Sequence, residues 1–277
     1  MSREYRRAPR APAYMARAFL FPRRPGLRAG LPALSAAWRG HRVGGTPLAS
    51  FLALAGLEGH PLWPLLYPQA AGFRLLMSLV TDYAFPFPIW GALQVRNRLA
   101  LRAPFARGDV LDLSARVAEA RALDKGSEID VACTARRGAT LVWEGVTTFY
   151  YRGQRSTAPG VPPPSSPTPE GPAVAEWIAD AGARLRFARL TGDYNPLHWS
   201  DAHARRSGFR RAFHHSQRML GQCLARLPRR EGSTLEAWFK GPVYYGAKVA
   251  LRASADRPGF ALFVEGDERP ALLGRLS

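Results

Sequence analysis

One local pattern occurs twice along this chain, once on each side of a proline-rich break, and that duplication limits it to folds built from two like units. Pro104-Phe105-Ala106-Arg107-Gly108 with Leu111 and Leu113 lines up, at a constant offset, with Pro242-Val243-Tyr244-Tyr245-Gly246 with Val249 and Leu251. Upstream of each copy lies an apolar stretch at helical spacing. Residues 72–80 place Phe73, Leu76, Met77 and Val80 on one face, and residues 216–227 do the same with Met219, Leu220, Cys223, Leu224 and Leu227. Downstream of each copy runs period-two sequence, over 110–117 and 248–253, as in strands with one buried face. Helix and then successive antiparallel strands, twice, predicts an α+β fold. A single helix buries its apolar face only if a curved sheet wraps it.

The break itself, residues 154–172, reads QRSTAPGVPPPSSPTPEGP. Its Pro, Ser and Thr resist both helix and sheet and favour an extended spacer. The expected division is therefore a basic N-terminal arm over 1–30, a first unit over 31–153, a linker over 154–172 and a second unit over 173–277. Whether the arm is disordered, packs on the fold or touches an anionic membrane is left open. At 277 residues the chain is long enough for one large domain or two ordinary ones. No run of about 18 apolar residues exists, so no integral membrane segment is expected. The apolar part of the N-terminus is short and interrupted by arginine, without the continuous apolar region of a secretory signal. Cys133 and Cys223 suggest no disulfide framework, and reduced thiols point to a cytoplasmic setting.

Chemistry is concentrated at residues 191–201, TGDYNPLHWSD. Gly192 permits backbone geometry closed to other residues, while Pro196 fixes its own φ and pushes Asn195 out of the helical region. The segment is thus a shaped turn in which Asp193 and His198 can face one small volume. A carboxylate beside an imidazole is a usual pair for activating water and moving its proton. Asn195 can hold either partner or the water. The same residues also suit an ordinary turn, with Ser200 or Asp201 capping the next helix.

The stretch from Phe187 through Leu220 closely resembles the hydratase-2 motif of MaoC-like (R)-specific enoyl-CoA hydratases. The matching parts are the TGD, the NPLH, Asp201, the Gly208-Phe209 pair, and His215 ahead of an apolar helix. The resemblance implies that Asp193 and His198 are the catalytic pair, with Asn195, His215 and Ser216 orienting the substrate. In that family the backbone N–H after the second histidine, at the head of the central helix, polarises the thioester carbonyl. Here Ser216 stands where the family has glycine; its N–H is retained while its Cβ narrows the approach. Together with the repeat, the resemblance implies a double hotdog in which only the second half is catalytic. Ahead of the first helix the sequence is GHPLWPLLYPQAAG, with His60 but no acid-Asn-His set. In such relatives the degenerate half makes room for the acyl chain, and the Phe-Pro run from Phe85 to Pro88 is a candidate border of that tunnel. Trp63, Phe73, Met77 and Phe85 read first as core.

The formal charge of +18 is almost all arginine scattered through the chain, Lys125, Lys240 and Lys248 being its lysines. No nucleic-acid module is visible, and even scatter is a solvated surface, so nucleic acid is not an expected partner. Arginine also suits the phosphates of coenzyme A, and an acidic acyl carrier protein would be attracted as well. His198, His203, His214 and His215 lack zinc-type spacing and the family uses no metal, so neither metal nor cofactor is expected. The resulting expectation is a hydro-lyase of acyl metabolism. It would reversibly hydrate trans-2-enoyl thioesters, on coenzyme A or acyl carrier protein, to (3R)-3-hydroxyacyl thioesters. A hotdog acyl-CoA thioesterase and a non-catalytic acyl-thioester binding protein are the alternatives, and a homo-oligomer is left open.

Overall fold

Alternation turns into strands for the reason that marks it in the sequence. Along β4 (Val110–Leu123), Leu111, Leu113, Ala115 and Val117 are buried, and the residues between them are not. The computed structural model describes residues 1–20, 24–27, 30–153, 171–182, 184–228, 232–254 and 257–277. The other strands, in chain order, are β1 (Ser2–Tyr5), β2 (Ser35–Arg42), β3 (Ala92–Leu101), β5 (Gly126–Arg137), β6 (Thr140–Arg152), β7 (Ala173–Ile178), β8 (Thr234–Phe239), β9 (Lys248–Ala253), β10 (Gly259–Val264) and β11 (Leu272–Leu276). The helices are α1 (Ala11–Leu20), α2 (Gly45–Ala55), α3 (Trp63–Val80), α4 (Arg184–Thr191), α5 (Asp201–Arg206) and α6 (Ser216–Leu224).

These strands form one sheet in the order β1-β2-β4-β5-β6-β3-β8-β11-β10-β9-β7. Read from its two edges inward, β2-β4-β5-β6-β3 and β7-β9-β10-β11-β8 are the same arrangement. The halves meet where β3 pairs antiparallel with β8, from Arg96 opposite Trp238 to Ala100 opposite Thr234. Helix α3 packs on β2, β3, β4, β5 and β6. Residues 217–224 of α6 are all buried, and side chains of both helices belong to one apolar core. This is the double hotdog, α+β in class, with the two Pro-to-Gly segments of the repeat serving as the β3–β4 and β8–β9 turns.

Two features differ from the sequence expectation or complete it. Helix α3 starts at Trp63 rather than near residue 72. Pro64 lies in the first turn, where its missing N–H has no intrahelical acceptor anyway. Pro68 gives up one bond inside the helix while Leu65, Leu66 and Tyr67 beside it are buried. The arm packs on the fold: β1 pairs in parallel with β2, and α1 buries Ala11, Tyr14 and Ala18. Of the linker expected over 154–172, residues 154–170 lie outside the described residues. No helix among the described residues is long and apolar enough to cross a membrane. Cys133 and Cys223 are both buried and free.

Candidate functional site

The site is built at the end of α4. The chain leaves that helix through Gly192 at φ 78°, a conformation that L side chains disfavour. A Cβ there would also lie 2.1 Å from Tyr14 Oη. That hydroxyl donates to the Gly192 carbonyl at 2.7 Å, so α1 braces the turn. Arg74 of α3 secures the neighbouring main chain by donating to the carbonyl of Arg189 at 2.6 Å. Beyond the glycine, Asp193 Oδ1 accepts from the Asn195 N–H at 3.1 Å, and Asn195 Oδ1 accepts from the Leu197 N–H at 3.2 Å. These two bonds wind the short 3-10 turn Pro196–His198, as the spacing led one to expect. Ser200 caps α5 through its side chain, and Asp201 accepts from the Ala212 N–H and Arg184, tying α4, α5 and the approach to α6 together.

The turn brings Asp193, His198 and His215 into one cluster. His198 Nδ1 lies 3.0 Å from the Phe213 carbonyl, an oxygen that can only accept, so Nδ1 carries the hydrogen. In the neutral ring Nε2 then carries the lone pair, and it lies 3.8 Å from Asp193 Oδ2. The Tyr245 hydroxyl donates to the His198 carbonyl at 2.9 Å and fixes the backbone beneath the ring. The His215 ring stacks on that of His198, centroids 3.8 Å apart, and its Nε2 donates to the Asp193 carbonyl at 3.1 Å. Burial holds the His215 pKa well below its usual value, with nearby His198 acting the same way. A neutral His215 places no positive charge against the His198 ring. Burial raises the Asp193 carboxyl above the ordinary range, an effect that His198 and the Asn195 N–H offset in part. Ligand-type atoms of Asp193, His198 and His215 lie within 4.8 Å of one another. A cation on all three would require His215 Nε2 to release the Asp193 carbonyl, so the cluster as built suits proton transfer better.

His215 is also the N-cap of α6, and Ser216 its first residue. The leading N–H groups of a helix have no intrahelical acceptor and carry the positive end of its dipole. No described residue other than glycine has positive φ, so the Ser216 Cβ strains no backbone. Asp193, Asn195, His198, His215 and Ser216 all line a single cavity of 220 Å³. The first half supplies part of its wall: Phe73 and Met77 from α3, Ile89 and Leu93, and Phe149 from β6. Phe73 and Met77 are thus cavity wall as well as core. Phe85 and Phe87, expected to border such a tunnel, instead pack on Tyr151 in the interior, and Ile89 reaches the cavity in their place. At its rim the cavity shares Lys240, Gly241 and Pro242 with an adjoining groove of 630 Å³ that also carries Arg210 and Arg269.

Tyr14 and Arg74 support the site without any mark in the sequence near it. A second signal, by contrast, was legible in principle. Phe51-x-x-Leu54-x-Gly56 repeats Phe187-x-x-Leu190-x-Gly192, and Gly56 and Gly192 both take positive φ, 71° and 78°. Leu57 then stands in the place of Asp193. With one extra residue between, Pro61-Leu62-Trp63 matches Pro196-Leu197-His198, so neither the acid nor the imidazole recurs at the matching positions of the first half.

Comparison with known proteins agrees with this architecture. The family model of the MaoC like domain matches residues 180–257, the segment holding the whole cluster. The 3-hydroxyacyl-thioester dehydratase X of Mycobacterium tuberculosis is 30% identical over 222 residues, covering 79% of this chain and 76% of the relative. The crystal structure of HtdX from the same organism superposes with a TM-score of 0.73 at 24% identity, over 87% of this chain and 98% of that one. A further M. tuberculosis protein, described as having a double hotdog fold, superposes with a TM-score of 0.59 at 16% identity, over 91% of this chain and 97% of its own. By its sequence likeness across most of both chains, and by a fold that accounts for that likeness, the chain belongs to the MaoC-like dehydratase family.

Proposed function

We propose that this hydro-lyase interconverts trans-2-enoyl thioesters and (3R)-3-hydroxyacyl thioesters, with Asp193 and His198 acting together on the water. The observation that carries this reading is the placement of the His198 ring: Nδ1 lies 3.0 Å from the Phe213 carbonyl, which leaves Nε2 facing the Asp193 carboxyl across 3.8 Å. A water at ordinary hydrogen-bond distance, about 2.8 Å, fits against both. In hydration its oxygen bonds to the β-carbon while one proton passes to the pair and returns to the α-carbon on the same face. Dehydration is the reverse. As the β-carbon is attacked, negative charge grows on the thioester oxygen, and the Ser216 N–H at the head of α6 is the donor suited to meet it. Asn195 shapes the turn that presents Asp193, and His215 holds the Asp193 main chain. Lys240, Arg210 and Arg269 beside the rim suit the phosphates of a coenzyme A or acyl-carrier thioester.

The test mixes the protein with trans-2-enoyl-CoA thioesters from short to long and follows the conjugated-enoyl absorbance together with free thiol. Loss of absorbance without thiol release is expected. Asp193→Asn and His198→Ala should each lower turnover by about 10²- to 10⁴-fold, the range of general acid–base contributions. Near-normal turnover in either variant would overturn the assignment. Thiol release would make the protein a thioesterase.

A further inference from the structure

Gln217, second residue of α6, is 7% exposed and lines the same cavity as Asp193 and His198. Neither its Nε2 nor its Oε1 has a hydrogen-bond partner among the described residues. A carboxamide brings two donors and an acceptor oxygen. Burying both ends unmatched destabilises the fold in a way that an apolar side chain of similar length would not. At a cavity wall, such a group marks a place where the ligand supplies the missing partner.

Its place on the helix says which part of the ligand that is. Gln217 and Gly221 are one turn apart on α6 and share a face. Gly221 packs on Ala55 of α2, so closely that a Cβ would come within 2.7 Å of the Ala55 Cβ. Gln217 is buried and lines the cavity with Phe73 and Met77 on its first-half side, whereas Lys240 at the rim is exposed. On the function proposed above, that side receives the acyl chain.

We propose that Gln217 determines specificity, and that the acyl chain of the substrate carries a hydroxyl group beyond its β-carbon; this rests on the dehydratase reading. A hydroxyl accepts one bond from Nε2–H and donates one to Oε1, matching both ends of the amide. A keto oxygen matches only the donor, and a hydrocarbon chain matches neither. A pocket built to hydrogen-bond a substrate hydroxyl discriminates strongly against the analogue lacking it, because its own buried polar groups are then left unpaired.

The full-length protein is assayed with trans-2-enoyl-CoA thioesters of one chain length, unsubstituted or hydroxylated at each successive carbon from the γ-carbon outward. One hydroxylated isomer should exceed the unsubstituted thioester in kcat/KM by at least about tenfold, and Gln217→Met should lower that ratio at least about tenfold. An unchanged ratio in Gln217→Met overturns the assignment. So does wild-type protein that prefers no hydroxylated isomer, a comparison that stands even where the variant does not fold. Turnover of the unsubstituted thioester reports separately on the dehydratase reading; no turnover with any member of the series overturns both.

Discussion

Burial raises the Asp193 carboxyl above its ordinary range, so this aspartate takes up a proton at a higher pH than an exposed one. The proposed mechanism needs it ionised. The acid limb of kcat/KM should accordingly lie above 3.8, the ordinary aspartate value, and a limb at or below that value would contradict the role. The sign for stability is the reverse of that for activity. An unfolded Asp193 ionises more readily than the native one, so stability present below 3.8 is lost as pH rises through the raised native value. Asp193→Asn should thus melt no lower than wild type at neutral pH while losing turnover, as a calorimetric scan beside the assay will report. Gly192 is equally exacting. Gly192→Ala places a Cβ against Tyr14 Oη and Arg74 Cγ at φ 78°, and should cost about 2–4 kcal/mol in urea unfolding. Tyr14→Phe removes only the bond to the Gly192 carbonyl and should cost about 1 kcal/mol. If Tyr14 positions Asp193 through that turn, kcat will fall in Tyr14→Phe while KM holds; proportionate loss in both would leave it a merely structural group.

At the level of elements, the long first-half strands carry a feature their alternation conceals. A bulge between Val117 and Glu119 shifts the β4–β5 register, so that Val117 opposes Val131 but Ala120 opposes Ile129. One extra residue turns every later side chain of β4 to the other face. Arg121 consequently leaves the apolar face and meets Asp130 through two bonds, at 2.7 and 2.6 Å, with Glu128 alongside at 3.2 Å. Arg96 of β3 reaches Glu128 at 2.9 Å, and the Thr148 hydroxyl donates to Asp130 at 2.6 Å. All four charged side chains are largely buried. Removing one member of a buried ion network strands the others, so Arg121→Met should destabilise by about 3–5 kcal/mol. Adding Glu128→Gln and Asp130→Asn should restore much of that loss. Urea unfolding of the two variants checks it, and an unaltered midpoint in Arg121→Met would mean that the network contributes little.

For the molecule as a whole, the histidines set how stability depends on pH. Burial holds His41 down to about 4 and His214 to about 3, and keeps His215 well below 6.5. Each is neutral in the native state at pH values where its unfolded counterpart, near 6.5, has taken a proton. The unfolded chain then binds more protons, so their contribution is complete above 6.5 and is lost as pH falls toward 4. A decline of several kcal/mol between those values is the expected scale, at about 1.4 kcal/mol per pH unit for each group fully engaged. Asp193 works in the opposite sense and blunts the decline. Denaturant midpoints across this window measure it, and a flat profile would show that these imidazoles titrate normally in the folded protein.

Residues close together in the sequence were legible from it. The turn from Gly192 to His198 follows from the positive φ of glycine, the fixed φ of proline and two side-chain caps, all within one short segment. The paired order of helix and strands follows from apolar periodicity, which the sequence displays wherever one face of an element is buried. The start of α3 was hidden, because Pro64 and Pro68 look like breakers until their positions in the helix are known. The remaining contacts were decided by the tertiary structure alone. Tyr14 lies 178 positions from Gly192, Arg74 lies 115 from Arg189, and Gln217 meets Phe73 and Met77 only at a shared cavity. Local conformational preference determines how a segment bends and which of its faces is apolar. It holds no information about which distant segment arrives there, because that depends on how the two halves join through β3 and β8 and stack their helices beneath one sheet.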